Sequence, residues 1–331
     1  MKREDNMNFK AFAFACAATA LSALPATAAD LRMLSSWPEN QAYTANVVTP
    51  LIEKIKELSG GEISITVSGP DVVPAFEQLE PVQAGVFDLL FTHPAYHIGT
   101  ASIGLGVEGT RADPALRRSS GVIDTLDAYY QTLGLKAIAV APVGSVAFNF
   151  ILRDPITGYP SLEGRKIRGT QTYNPVIEGA GASPVILPMT DIYSSLQTGV
   201  IDGAGTTLIG IAEKKWYEVS NYLSRPKFGT VGLFVFMNLD SWDSLTPEEQ
   251  EIITKAAMAI EMDSTERFDT LAAEEEAFLI EQGMELTEFA KEDADKVEQI
   301  FSDGAWATAR ITGGDFAEKM HQQAEEAGLL Q

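Results

Sequence analysis

Two runs, LEGRKIRGTQTY (162–173) and SPVILPMTDIYSSLQTGVIDGAGTT (183–207), decide how this chain folds. Gly164 and Gly169 bound a brief apolar-centred stretch, which predicts a strand over 166–170 with Arg168 at its carboxyl end. Pro175 to Ala180 reads as a helix with proline near its start and Gly181 near its end. Val185 to Leu187 is apolar and β-branched, the next strand. Thr190 has the position of an N-cap for a helix over 191–198 that Gly199 stops. Val200-Ile201 opens a third strand. Strands alternating with helices predict a mainly parallel α/β sheet. Ligands of such sheets bind beyond the carboxyl ends of the strands. Arg168, the start of the 191–198 helix and the loop Gly203 to Thr207 therefore border one crevice. A fixed guanidinium beside a helix start is a receptor for an anion, most simply a carboxylate. The same spacing also fits an arginine paired with an acid on its own lobe.

Outward from this stretch, the chain reads as two such units. Leu31 to Leu34 is a strand and Ser35 to Asn40 a loop at its carboxyl end. Gln41 to Ser59 is an amphipathic helix with Val47, Val48, Leu51, Ile52, Ile55 and Leu58 on one face. Ile63 to Val67 alternates as a second strand. Pro74 to Ala84 is read as a helix and Val86 to Phe91 as a strand. The motif Q-x-G-V-x-D occurs at 83–88 and again at 197–202, each time where a helix turns into a strand. Equivalent elements in two halves predict two similar lobes facing a cleft. Loops Thr92 to Tyr96 and Gly203 to Thr207 follow the two copies and are expected to face it.

Asp113-Pro114 caps a helix that leads through Tyr129-Tyr130, and strand 136–140 follows. An alternating run over 144–152 crosses between lobes, with a hinge near Val143. Ile211 to Tyr222 is read as a helix, and Val231 to Asn238 as the return crossing. Thr246-Pro247-Glu248-Glu249 is a capping box with proline at the first helical position. No glycine or proline follows until Gly283, so about 36 residues form one helix of about 54 Å, longer than one lobe. Its Glu274-Glu275-Glu276 run is expected to be solvated. Helices over 293–302 and 316–327 are expected to close the second lobe. The expected division is a signal peptide at 1–28, one lobe from 29–143 and 232–271, and another from 144–231 and 272–331.

The 331 residues include 45% hydrophobic ones, enough for two cores. A net charge of −22 excludes nucleic acid and anionic membrane as natural partners. Lys2, Arg3 and Lys10 precede an apolar run over 11–24 and an A-x-A site at Ala26-Thr27-Ala28, the pattern of an export signal cleaved before Ala29. Cys16, the single cysteine, lies within it, so neither disulfide nor thiol chemistry is expected in the mature chain. No stable membrane insertion is expected once the signal is removed. Gly104 to Gly109 matches G-x-G-x-x-G, but no strand precedes it and the chain is exported, so no nucleotide site is read there. His93 and His97 lack a carboxylate cluster, and Pro94 interrupts their helical spacing; neither metal nor cofactor is expected.

Several linked motifs, L-x-G-x-K-I-R, G-A-S-P, DIYSSLQTGVIDG, WYEVSNYL and NLDSWDSLTPEEQ, resemble the DctP-type substrate-binding proteins of TRAP (tripartite ATP-independent periplasmic) transporters. The resemblance covers most of the chain. It implies a bilobed periplasmic-binding-protein-like α/β fold, with two lobes joined by crossing strands and a long lobe-spanning helix. It also implies a periplasmic location in a Gram-negative type of cell, a small carboxylate ligand bound by Arg168, and TRAP membrane permease subunits as partners. Two positions depart from better-known members: Thr206 stands where many have an asparagine that contacts substrate, and Met189 where an aromatic often lines the pocket. Thr170, Trp37, Glu77, His93 and Phe228 complete the candidate set. The alternatives are an exported lyase or hydrolase, for which His93, Asp191 and Asp202 are the candidate bases, and a receptor coupled to a membrane sensor.

Overall fold

A computed structural model describes residues 29–187 and 189–330, with Thr190 described by its backbone alone. The expected signal segment and Cys16 lie outside these residues. Two sheets form the frame. The first has the order β2-β1-β3-β10-β4, from Ala29–Ser35 (β1), Ile63–Ser68 (β2), Leu89–Thr92 (β3), Leu135–Pro142 (β4) and Gly232–Asn238 (β10). The second has the order β11-β9-β5-β8-β6-β7, from Phe148–Leu152 (β5), Lys166–Gly169 (β6), Ser183–Ile186 (β7), Gly203–Thr207 (β8), Tyr222–Arg225 (β9) and Glu285–Glu288 (β11). In the first sheet β10 is antiparallel to both neighbours, and in the second β5 is. Each of these strands enters from the other lobe. The two crossings run side by side: Val143 N donates to Val231 O at 3.0 Å, and Ala147 N to Gly229 O at 2.8 Å.

The repeated motif has one structural job in both lobes. Gly85 (φ +71°) and Gly199 (φ +74°) take the left-handed turn that only glycine adopts without strain. The aspartate that follows then clamps the neighbouring strand. Asp88 Oδ2 accepts from Arg32 N and Asp88 N donates to Arg32 O, both at 2.8 Å. Asp202 repeats both bonds with Lys166, again at 2.8 Å. The two parallel ladders that aim at the cleft are thus pinned the same way.

The long helix covers Pro247–Glu281, and both halves of its capping box are formed. It packs on β4 and on helix Thr49–Leu58 in the first lobe, and places Leu279 in the apolar cluster of the second. At the acidic run only Glu274 is exposed as expected. Glu275 accepts from Ala212 N at 2.7 Å, and Glu276 pairs with Arg225.

Other expectations are corrected. The 74–84 helix breaks into Ala75–Glu77 and Leu79–Gln83. Residues 211–222 form turns around a short 3-10 helix, Trp216–Glu218, because Lys215 takes a left-handed conformation (φ 54°). The third strand of the key stretch is Gly203–Thr207, not 200–201, so the segment expected as a loop is itself strand. At the C-terminus the helical stretch Val297–Glu326 is two helices meeting at a kink at Gly314, and the first runs well past the expected end at 302. From Trp306 onward the stretch does not close the second lobe. Trp306, Ala309, Ala317 and Met320 pack in the core of the first lobe with Leu126, Tyr130 and Phe234. The glycines of the G-x-G-x-x-G run allow this: a Cβ on Gly106 or Gly109 would lie within 2.7 Å of the Trp306 ring.

Candidate functional site

Arg168 lies in β6, whose register with β8 ends at Arg168 and Ala204. Beyond that pair the strands part, and the guanidinium occupies the gap. Nε donates to Leu187 O at 3.1 Å; one terminal nitrogen donates to Tyr173 Oη at 3.0 Å and to Gly205 O at 3.2 Å. All three acceptors are neutral. The residue is 5% exposed, and none of the ion pairs among the described residues involves it. A buried guanidinium without a carboxylate is costly unless an anion joins it. The spacing that left open an acid partner on the same lobe is resolved here by the neutral acceptors around the arginine.

The local sequence explains the geometry. Helix Asn174–Gly179, with proline in its first turn, starts just after β6 and sets Tyr173 over β8. Its ring lies so close to Gly205 that a Cβ there would be 2.8 Å from it. The absence of a side chain at Gly205 thus lets Tyr173 orient the arginine.

The opposite wall comes from the first lobe. Trp37 is 6% exposed, with its ring centre 5.2 Å from Tyr43, 5.1 Å from Phe91 and 5.8 Å from Tyr96. Its indole Nε1 is buried without an acceptor. Tyr43 Oη meets Thr207 Oγ1 at 2.7 Å, a direct bond between the lobes. Burial pushes the Tyr43 and Tyr96 phenols up, Tyr96 to about 12 despite the opposing charge of Arg168, so both remain O–H donors at neutral pH.

The remaining candidates separate. Thr206 is buried on β8, and Met189 packs against the apolar cluster of the second lobe. Thr170 is half-buried, and its carbonyl accepts from Tyr173 N and Asn174 N. His93 is held by Glu108 Oε1 at 2.5 Å and caps the turn through Ala95 N. Two candidates have other surroundings. Glu77 is exposed, and its neighbour Gln78 is the buried residue, bonded to Ser36 Oγ and to the Ser35 and Val73 carbonyls. Phe228 is fully buried among Phe148, Phe150 and Phe301, where it packs the hinge. The helix after Met189 spans Ile192–Thr198 with Asp191, not Thr190, at its N-cap position, and a 3-10 turn over Met189–Asp191 precedes it.

Sequence reasoning missed Tyr43, Gln78 and Asn149. Tyr43 sits at the start of an aliphatic helical face, and an aromatic just past the Trp37 loop was its only signal. Asn149 lies inside the run over 144–152, read only as an alternating crossing strand. Among the described residues no group of three or more His, Cys, Asp or Glu is arranged to hold a metal ion.

The comparisons agree with this architecture. A monocarboxylate 2-oxoacid-binding periplasmic protein of Nostoc is 26% identical, over 92% of this chain and 88% of its own. Among solved structures, a TRAP periplasmic solute-binding protein from Desulfovibrio salexigens with bound orotic acid superposes with a TM-score of 0.77 at 21% identity, over 90% of this chain and 98% of its own. The Bordetella pertussis receptor DctP7, which binds pyroglutamic acid, gives a TM-score of 0.75 at 16% identity, over 91% and 99%. The family model described as bacterial extracellular solute-binding protein, family 7, matches residues 34–308, and the chain belongs to that DctP family.

Proposed function

We propose that this extracytoplasmic solute-binding protein captures a small organic acid between its lobes, with the ligand carboxylate paired to Arg168, and delivers it to the membrane permease of a TRAP transporter. The observation that carries the reading is the state of Arg168: buried, oriented by three neutral acceptors and without an acidic partner among the described residues. Closure is favoured because only the closed state brings the Trp37, Tyr43 and Tyr96 wall onto a ligand held by the second lobe. The acids bound by the Nostoc, Desulfovibrio and Bordetella proteins are all carboxylates, which supports the same class here. No helix among the described residues is long and apolar enough to cross a membrane, in keeping with periplasmic delivery.

A receptor accounts for the polar groups better than an enzyme does. Asp202 spends its carboxylate on Lys166 N and His93 is tied to Glu108, so two candidate general bases have structural work. Arg168→Lys tests the reading. Lysine cannot keep the bonds to Leu187 O, Tyr173 Oη and Gly205 O that aim the charge, so affinity for the acid identified by native mass spectrometry of the purified protein should fall by at least about 2 kcal/mol. Calorimetry showing equal affinity would remove Arg168 from the site.

A further inference from the structure

The long helix changes lobe within about one turn. Arg267 Nη1 donates to Asn46 O at 2.8 Å, and the Phe268 ring lies 6.1 Å from Tyr43, both contacts with the first lobe. From Ala272 the helix packs on the apolar cluster of the second lobe, where Glu275 and Glu276 hold Ala212 N and Arg225. Asp269 sits between the two sets. The first crossing changes lobe at Gly144, which takes a left-handed conformation (φ +78°) between the end of β4 at Pro142 and the start of β5 at Phe148. Asp269 joins these two points: its Oδ1 accepts from Ser145 N at 2.8 Å, and its Oδ2 from Ser145 Oγ at 2.6 Å. A Cβ on Gly144 would lie 2.6 Å from that Oδ1, so glycine is needed there for space as well as for φ. Ser145 follows the glycine on the way to the second lobe, whereas Asp269 follows the residues that hold the first. The paired bonds thus span the pivot, and rotation about Gly144 swings Ser145 away from the carboxylate. Both residues are exposed, so water takes over each bond on opening and no buried group is stranded. The return crossing is held differently. Gly229 N donates to Glu298 Oε1 at 3.2 Å and Oε2 at 3.0 Å, and the neighbouring Phe301 packs on Phe148 and Phe228 of the second lobe. The amide nitrogen precedes the φ rotation of Gly229, so this donor and its acceptor stay on one side of their pivot.

We propose that Asp269 is a positioning residue for solute capture: its paired bonds to Ser145 form as the lobes close and hold the hinge in the closed setting. It is a second latch, at the pivot, beside the Tyr43–Thr207 bond in the cleft. A ligand then has to supply less of the free energy of closing, because the hinge contributes part of it. Glu298 is the internal contrast. It holds a hinge amide as well, but its bonds are the same in either setting, so it supports the fold and leaves the closing equilibrium alone. The proposal requires that the lobes close and is independent of which anion Arg168 holds.

Spin labels read the closing directly. Cys16 is the single cysteine and lies in the expected signal segment, so Val72→Cys and Ile186→Cys, exposed positions on the two lobes, give the exported chain one label on each. Double electron–electron resonance is recorded on ligand-free protein, unfolded and refolded to remove co-purified acid, at rising sucrose concentration. Sucrose is excluded from protein surfaces and so favours the closed form, which exposes less surface. The wild type should pass from a longer to a shorter distance. Asp269→Ala should lower the closed-to-open ratio about five-fold at equal sucrose, with little change in melting temperature. Asp269→Asn should restore the ratio to within about two-fold, since a carboxamide oxygen accepts from Ser145 N and its N–H donates to Ser145 Oγ. Glu298→Ala should melt lower at an unchanged ratio. Should Asp269→Ala not fold, Ser145→Ala removes one of the two bonds and should lower the ratio about two-fold. A lower melting temperature with an unchanged ratio makes Asp269 a structural tie and overturns the proposal. So does an asparagine variant that behaves as the alanine one, a Glu298→Ala protein that opens as far, or a wild type that never leaves the longer distance. No ligand enters the experiment, so the outcome of Arg168→Lys does not bear on it.

Discussion

At the scale of single residues, the cleft is surrounded by side chains whose ionisation the fold has decided. His97 shows this most directly. Burial, with a smaller contribution from the charge of His93, pushes its imidazole down from 6.5 to about 4. The buried ring meets Thr92 Oγ1 at 3.0 Å, and Thr92 in turn accepts from Ser36 at 2.8 Å. Because the folded state refuses a proton that the unfolded chain accepts, the contribution of His97 to stability is complete above pH 6.5. It declines as pH falls towards 4, by a total on the order of 3 kcal/mol. His97→Gln can keep the bond to Thr92 but cannot ionise. Melting temperatures measured from pH 7 to pH 4.5 should therefore fall more steeply for the wild type than for the variant. Parallel curves would mean that the histidine is protonated in place at little cost.

At the scale of elements, the strongest signals were local and backbone-borne. The Thr246 to Glu249 box is one: Thr246 Oγ1 accepts from Glu249 N at 3.3 Å, and Glu249 Oε2 accepts from Thr246 N at 2.7 Å. Thr246→Ala should remove about 1 kcal/mol of stability and lower the melting temperature by a few degrees. Ligand affinity should not change, because the cap is exposed and far along the helix from the cleft wall; a loss of affinity would tie the helix start to closure. Capping boxes, glycine stops and the Q-x-G-V-x-D repeat were legible because each acts within a few residues. The 211–222 segment was misread for the complementary reason. Its pattern suits a helix, but Glu275 of the long helix accepts from Ala212 N and so takes a backbone donor by a tertiary contact. From Trp306 onward the C-terminal stretch was likewise assigned to the wrong lobe, because its docking depends on the distant glycines at 106 and 109, which admit Trp306. Within the site, Arg168 was legible from its place at a strand end. Tyr43 was not, because its significance comes from its bond to Thr207 in the other lobe, and a contact that distant in sequence is invisible in a single helix start.

At the scale of the whole molecule, the question is what distinguishes closed from open. The lobes are joined by two adjacent crossings, by the long helix and by the C-terminal helices. One of the contacts that spans the cleft itself is the Tyr43–Thr207 hydrogen bond at 2.7 Å. Thr207 can donate to Ile209 O at 3.4 Å, which leaves its oxygen free to accept from the tyrosine. Burial pushes the Tyr43 phenol up, so it stays protonated through the physiological range and the latch does not titrate there. The bond exists only when the lobes meet, so its free energy enters the closing equilibrium and not the stability of either lobe. Tyr43→Phe removes the hydroxyl and keeps the ring packed against Trp37 and Phe268. Affinity for the bound acid should therefore weaken by about 1 kcal/mol, roughly five-fold, while the melting temperature of the ligand-free protein stays the same. Small-angle scattering gives the independent check. The wild type should become more compact on saturation with ligand, and the variant should need more ligand to reach the same radius. If saturating ligand left the radius unchanged in both proteins, the bond would be a static contact and closure would not be what ligand binding drives.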